Sequence, residues 1–432
     1  MEEKNIIKIG LPKTVTRGGG STRLEADVTW QLDGKPGGER IYFEVDAKWG
    51  KYLTSDFSDP FILAVFEFAL ENGFDIAYEA PMTEDLKYQL ETYLIPIFAK
   101  KVNSVNAFKL IGETASSRIP TENVTGTGFS AGVDSFYSVL KHINSPYESK
   151  KVTHLLLTVN GAAGTGLDAK TDKEWFDEEM RRFTILAEEM KLELIGVNSN
   201  VSLMNNHRKI FKGGSGITTS SFVHALRKLF GTYYWASAYE ADVLEFRTDD
   251  LGYVEPFFLP LISVDGLRFY HSGAEANRME KVEFIADNPV VQKGLTVCGC
   301  PDSCGVCFKC TRTMAELYSI DKIEKFSAVF KDAKDYKKKL SRYLGREFAQ
   351  DHAPFTTEII NSLKKHGKKI PVSAYLWKWF WFKPYLFAKK KLRYNRLAMK
   401  LYYEKGWSKR FGEKEQDKDY VRRRLAGEKF EK

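Results

Sequence analysis

Cysteine is almost absent from this chain. Five occur in 432 residues, and all five fall between Cys298 and Cys310. With none elsewhere to pair across the fold, the cysteine pattern argues against a disulfide framework. Long apolar runs are missing too, since no uninterrupted stretch approaches the roughly 18–20 residues that a membrane-spanning helix needs. The opening Met1-Glu2-Glu3-Lys4 is acidic and no apolar run follows it, unlike a secretory signal. No internal repeat is evident. A composition of 43% hydrophobic and 28% charged residues is that of a globular chain with a large core. The expected location is the cytoplasm.

Acidic residues run short at one end. From Lys364 to Lys432 there are 22 Lys/Arg against 7 Asp/Glu, a surplus of 15, in a chain whose net charge is only +8. A mildly acidic body therefore carries a strongly basic tail. Before the tail, three regions differ in pattern. Residues 1–118 hold short strand-like runs (Ile6–Ile9, Leu24–Trp30, Arg40–Val45) punctuated by glycine turns, then helical spacing over Pro60–Asn72 and Met82–Lys100. They predict an α+β N-terminal domain. Residues 119–325 alternate strands with helices: Leu155–Val159, Lys173–Met190, Leu194–Val197, Ser220–Phe230. This βαβα order predicts a doubly wound parallel sheet of the α/β class. Residues 326–432 predict a helical, basic C-terminal region, charged enough beyond about Lys409 to be partly disordered.

The most informative eight residues are Gly128-Phe129-Ser130-Ala131-Gly132-Val133-Asp134-Ser135. The short β-prone run Val124–Thr127 precedes them, and Phe136–Leu140 continues as an apolar helix. Strand, small-residue loop and helix together aim backbone N–H groups and a helix N-terminus at an anion. The hydroxyls of Ser130 and Ser135 can donate to phosphate, and Asp134 can hold a nucleotide's magnesium. No Gly-Lys-Ser/Thr follows, so this is not a Walker loop.

The loop resembles the S-G-G-x-D-S signature of the PP-loop superfamily, the N-type ATP pyrophosphatases. Asparagine synthetases, NAD synthetases and 7-cyano-7-deazaguanine synthases belong there. Ala131 departs from that pattern, standing where the family usually has glycine. Alanine is tolerable there unless the position needs positive φ. The resemblance implies a PP-loop, HUP-like fold that binds ATP through Ser130, Ala131, Gly132, Val133, Asp134 and Ser135. Asn160, at the end of the second apolar strand, is a further adenine-side candidate.

The cysteines supply a second motif, Cys298-x-Cys300-x3-Cys304-x2-Cys307-x2-Cys310. Two overlapping C-x2-C steps with an upstream cysteine offer four thiolates, which suits tetrahedral zinc. Cys304, Cys307 and Cys310 are three of the ligands. The fourth is Cys298 or Cys300, with Cys298 favoured because it follows the β-like Leu295-Thr296-Val297. Four thiolates leave no open position, so the zinc is read as structural. Deazaguanine nitrile synthases are similar in carrying a late four-cysteine site after their loop. The segment Cys304–Met314 also resembles a C-G-x-C-x-K-C-x-R-T stretch of PP-loop proteins from surface-polysaccharide gene clusters.

Between the motifs lies His271-Ser-Gly273-Ala-Glu275-Ala-Asn277-Arg278-Met-Glu280-Lys281. Arg278 and Lys281 are placed to offset charge on a departing pyrophosphate, and Glu275 or Glu280 to position a nucleophile or magnesium. In the PP-loop family a basic residue shortly before the zinc segment reaches the phosphates, which favours Lys281 over Arg278. The glycine-rich Gly213–Gly216 reads equally as a second anion contact or a plain connection, and His207 and His224 read as structural.

The resemblance implies an AMP-forming ligase using ATP, Mg2+ and Zn2+. A carboxylate or carbonyl oxygen of an unidentified substrate is adenylated, and ammonia or an amine displaces AMP. Asp134, Ser130, Lys281 and Arg278 are the catalytic candidates. Two alternatives stay open: sulfur transfer to tRNA or a small molecule, and a non-catalytic nucleotide-binding protein. For residues 368–432, where tryptophans alternate with lysines, packing onto the body competes with a membrane surface or nucleic acid as partner.

Overall fold

A computed structural model describes residues 5–32, 34–102, 105–115, 118–159, 169–207, 216–246, 251–298, 303–330, 335–350 and 354–392. Asn160, Cys300, Gly213–Ser215 and everything beyond 392 lie outside the described residues. The chain divides into two compact units, 1–301 and 302–432.

The first unit opens with β1 (Ile6–Ile9), β2 (Lys13–Arg17) and the long hairpin of β3 (Ser21–Leu32) and β4 (Lys35–Asp46). Helix α1 (Asp59–Asn72) follows, then β5 (Asp75–Tyr78) and β6 (Met82–Thr83). The helical run expected from Met82 comes next, but in three pieces: α2 (Glu84–Gln89), a π turn over Leu90–Leu94, and α3 (Ile95–Lys101). Pro96 explains the break, because it has no N–H to continue the α ladder. The short β7 (Leu110–Ile111) and β8 (Thr114–Ala115) close this half.

The alternating half contains β9 (Val124–Gly128), α4 (Val133–Ile143), β10 (His154–Thr158), α5 (Ala169–Met190), β11 (Glu193–Ser199) and α6 (Gly216–Ala225). It continues through β12 (Phe230–Ala236), α7 (Glu255–Phe258), β13 (Arg268–Ser272), α8 (Arg278–Ile285) and α9 (Pro289–Gly294). Helix α6 ends at Ala225, short of the Phe230 expected from the sequence, because Phe230 begins a strand instead. Strands β13-β12-β9-β10-β11 lie in that order and are mutually parallel. Moving along the chain, the strands step outward from β9 on one side, then return to its other side. The strand order therefore reverses beside β9, and a crevice at the carboxyl ends of β9 and β12 is where such a sheet receives a ligand.

Apart from a two-stranded ladder of β6 with β8, the N-terminal half has no sheet separate from the alternating half. β4 pairs antiparallel with β11 (Asn198 opposite Glu44, Ser199 opposite Phe43), so both halves share one eleven-stranded sheet. The break expected at 118 is therefore absent from the division into units, which falls at 301/302 instead of 118 and 325. The physical reason is hydrogen bonding between strands some 150 residues apart (Tyr42 N–H to Asn200, Ser199 Oγ to the Tyr42 carbonyl), a pairing that composition does not reveal. The core crosses the join as well: Phe43 of β4 stacks edge-on with Phe61 of α1 at 5.6 Å and Phe222 of α6 at 5.2 Å.

The second unit is helical: α10 (Phe308–Ser319), α11 (Tyr336–Ala349), α12 (Pro354–Lys365), α13 (Val372–Trp377), a π turn over Lys378–Phe382, and α14 (Lys383–Leu392). Among the described residues no helix is long and apolar enough to cross a membrane.

Candidate functional site

The loop after β9 is held from both ends. Phe129 N–H donates to the Leu156 carbonyl at 2.9 Å, and Thr296 N–H donates to the Ala131 carbonyl at 2.8 Å. Between them Ala131 is fully buried at φ +50°, the left-handed region. This is the position where the sequence departs from glycine, and it does need positive φ. Gly132 is the N-cap of α4 and supplies no side-chain cap. The N–H groups of the first turn therefore point out of the helix end with its positive dipole, the arrangement that receives anions. Ser130 Oγ donates to Ser135 Oγ at 3.4 Å, and Ser135 Oγ to the Gly132 carbonyl at 3.1 Å.

Asp134 stands in that first turn. Arg278 Nη1 reaches its Oδ2 at 3.0 Å and Lys281 Nζ its Oδ1 at 3.4 Å. Both cations come from the first turn of α8, and they lie side by side because i and i+3 share a helix face. A capping box fixes that helix start: Asn277 accepts from Glu280 N–H while the Glu280 carboxylate accepts from Asn277 N–H. Lys281 also donates to the Ser237 carbonyl, at 2.6 Å, just past the end of β12. The three residues predicted separately from the loop and from the 271–281 segment thus meet at the carboxyl ends of β9 and β12.

Lys281 is only 1% exposed, and burial holds its pKa below the usual lysine value, with Asp134 offsetting the shift only in part. The Asp134 side chain keeps 28% exposure, so the cluster is open to solvent from the carboxylate side. Glu275 and Glu280 do not join it. Glu280 is used in the cap, and Glu275 accepts from Tyr137 Oη at 2.8 Å, from Gly273 N–H at 3.1 Å and from Lys141. Partial burial acts to raise the Glu275 pKa, but Lys141, the backbone and Tyr137 outweigh it and hold it at about 2. His224 is structural: it is buried, bonds the Ile262 carbonyl at 2.9 Å, and burial drives its pKa down to about 3.

The second gathering is of sulfur. Cys298, Cys304, Cys307 and Cys310 bring their Sγ atoms within 4.8 Å of one another. Zinc–thiolate bonds of about 2.3 Å set tetrahedral sulfurs about 3.8 Å apart, and Cys304 and Cys310 are already 3.9 Å apart. Cys307 N–H points at Cys304 Sγ (3.4 Å) and Cys310 N–H at Cys307 Sγ (3.5 Å), donors that suit thiolates. Gly305 at φ +68° makes the turn that brings Cys304 and Cys307 together, which a side chain would strain. The residues fit a four-thiolate zinc site. Cys298 is the fourth member among the described residues.

A cleft of ≈ 700 Å³ opens elsewhere in the first unit, between the β3–β4 hairpin and α5 with β11, lined by Trp49, Lys48, Lys173, Phe176 and Met180 among others. Its lysines are paired, Lys48 with Glu193 and Lys173 with Asp177. The converging charges at Asp134 identify the site better than this volume does, because Arg278 and Lys281 are buried at strand ends whereas the cleft's lysines lie in surface ion pairs.

Sequence reasoning missed β12 and β13 and with them Ser237, which holds Lys281. The run Phe230-Gly-Thr-Tyr-Tyr-Trp-Ala, aromatic and β-branched, was the available signal. Compared with models of protein families, with curated protein sequences and with solved structures, the chain shows no significant match.

Proposed function

We propose that the chain is a PP-loop ATP pyrophosphatase, an AMP-forming ligase that activates an oxygen of a carboxylate or carbonyl substrate. The observation that carries this reading is the meeting of Asp134 with Arg278 and Lys281 at the uncapped start of α4, beside the small-residue loop. The substrate oxygen attacks the α-phosphorus, and the α–β bridging oxygen leaves with pyrophosphate. An amine or ammonia then attacks the activated carbon and expels AMP.

The loop contains no lysine, so the charge growing on pyrophosphate must be met from elsewhere. Backbone N–H groups at the α4 start and the Ser130 and Ser135 hydroxyls supply neutral donors, and Arg278 and Lys281 supply charge. Holding Lys281 between Asp134 and the Ser237 carbonyl fixes its ammonium before ATP arrives, which limits reorganisation during reaction. Magnesium, when bound, shields the phosphate charges, and Asp134 is the carboxylate that would hold it. Zinc on the cysteine cluster serves the fold, since four thiolates complete its coordination. Sulfur transfer needs an activated thiolate outside such a site, and four of the five cysteines are drawn into it.

Pyrophosphate–ATP exchange, measured across sugar acids, amino acids and nucleobase carboxylates, tests the reading. Asp134→Ala should lower exchange by at least about 100-fold, and Ser130→Ala by less, because backbone donors remain. Products resolved as ADP and phosphate, with activity surviving Asp134→Ala, would overturn it.

A further inference from the structure

Helix α13 and the π turn after it show two different faces. Inward, Ala374 and Phe382 are buried, and Ser373 Oγ donates to Ser341 Oγ of α11 at 2.8 Å. Gly345 of α11 lets the chains approach closely, since a Cβ there would lie 2.4 Å from Trp377 Cβ. Outward, Val372 is 76%, Leu376 54%, Trp379 56% and Phe380 79% exposed. Their spacing of four, seven and eight residues draws one apolar stripe along the helix. A stripe of this size on a well-seated helix marks an interaction surface.

Its charge identifies the partner. From Ile359 to Tyr403 the sequence has twelve Lys/Arg and not one Asp or Glu. Lys383 and Lys378 sit over the Trp379 ring at 3.9 and 5.5 Å, so cations flank the stripe itself. Val372 and Leu376 are aliphatic and have no face on which a base can stack, but they gain from burial among acyl chains. Tryptophan beside lysine suits the boundary between acyl chains and anionic headgroups.

We infer that the Val372–Phe380 stripe docks the protein onto the surface of an anionic phospholipid bilayer, lying in the interface without crossing it. This goes beyond the proposed chemistry and does not depend on it.

The test is co-sedimentation of the full chain with phosphatidylcholine vesicles, with or without phosphatidylglycerol. Retention by the anionic vesicles alone, weakened as salt rises, is expected. The double variant Leu376→Glu/Phe380→Glu should lose retention by at least about tenfold. Both side chains are exposed, and an unchanged circular dichroism melt would show that the fold is kept. Ile185→Glu, an exposed site on α5, should sediment like the parent. No retention by anionic vesicles, or retention unchanged in the double variant, overturns the inference. So does tight binding of a fluorescent single-stranded oligonucleotide without vesicle binding, which would assign the stripe to nucleic acid.

Discussion

Ala131 concentrates the strain of the candidate site in one residue. It is buried at φ +50° and tied through its carbonyl to Thr296. An L-residue in the left-handed region costs about 1–2 kcal/mol, which glycine avoids at some expense in unfolded-chain entropy. Ala131→Gly should therefore stabilise the protein by about 0.5–1 kcal/mol. Thermal or urea unfolding reads this directly. A loss of more than about 1 kcal/mol would mean that packing of the buried methyl outweighs the backbone strain. The residue types of the site were legible in the sequence: Ser130, Arg278 and Lys281 are groups that can receive an anion, and Asp134 is one that can hold its metal. What stayed hidden was their pairing, because Asp134 and Lys281 are 147 positions apart and only the folded sheet sets them 3.4 Å apart.

Among the elements, local pattern decided success. The cysteine segment was readable because its spacing is itself the geometry: Cys307 caps α10 and accepts from Cys310 N–H, so each C-x2-C step brings two thiolates to one turn. Purified protein should contain about one zinc per chain, and Cys304→Ser should release it and lower the melting temperature, because bound metal contributes folding free energy directly. Protein without zinc or iron by elemental analysis would end that assignment. Helix α1 was equally legible, from Pro60 at its first turn to Gly73 at its left-handed end. Strand β12 was not, since its apolar run continues from α6 with only Arg227-Lys228 as polar interruption. Periodicity alone does not separate a helix from a buried strand in a short apolar run, and only the aromatic and β-branched content of Phe230–Ala236 marked the strand.

At the scale of the first unit, the parallel direction of β9, β10 and β11 follows from the βαβα alternation legible in the sequence. The junction between β4 and β11 does not, because antiparallel pairing of remote strands leaves no periodic trace. That junction has an energetic consequence. α1 is buried along Asp59–Leu70 and packs with α6, and Arg227 in the turn after α6 pairs with Asp59 at 3.2 Å inside the same core. Removing residues 1–118 would leave Arg227 without that carboxylate, bare the face of Phe222, and turn β11 into an open edge strand. The exposed edge and apolar face both favour aggregation. The chain starting at residue 119 should therefore be insoluble or show no cooperative unfolding transition. Expression of that fragment, followed by gel filtration and thermal melting, decides the matter. A soluble, cooperatively melting product would mean that the boundary near 118 separates true domains and that the shared sheet adds little to stability.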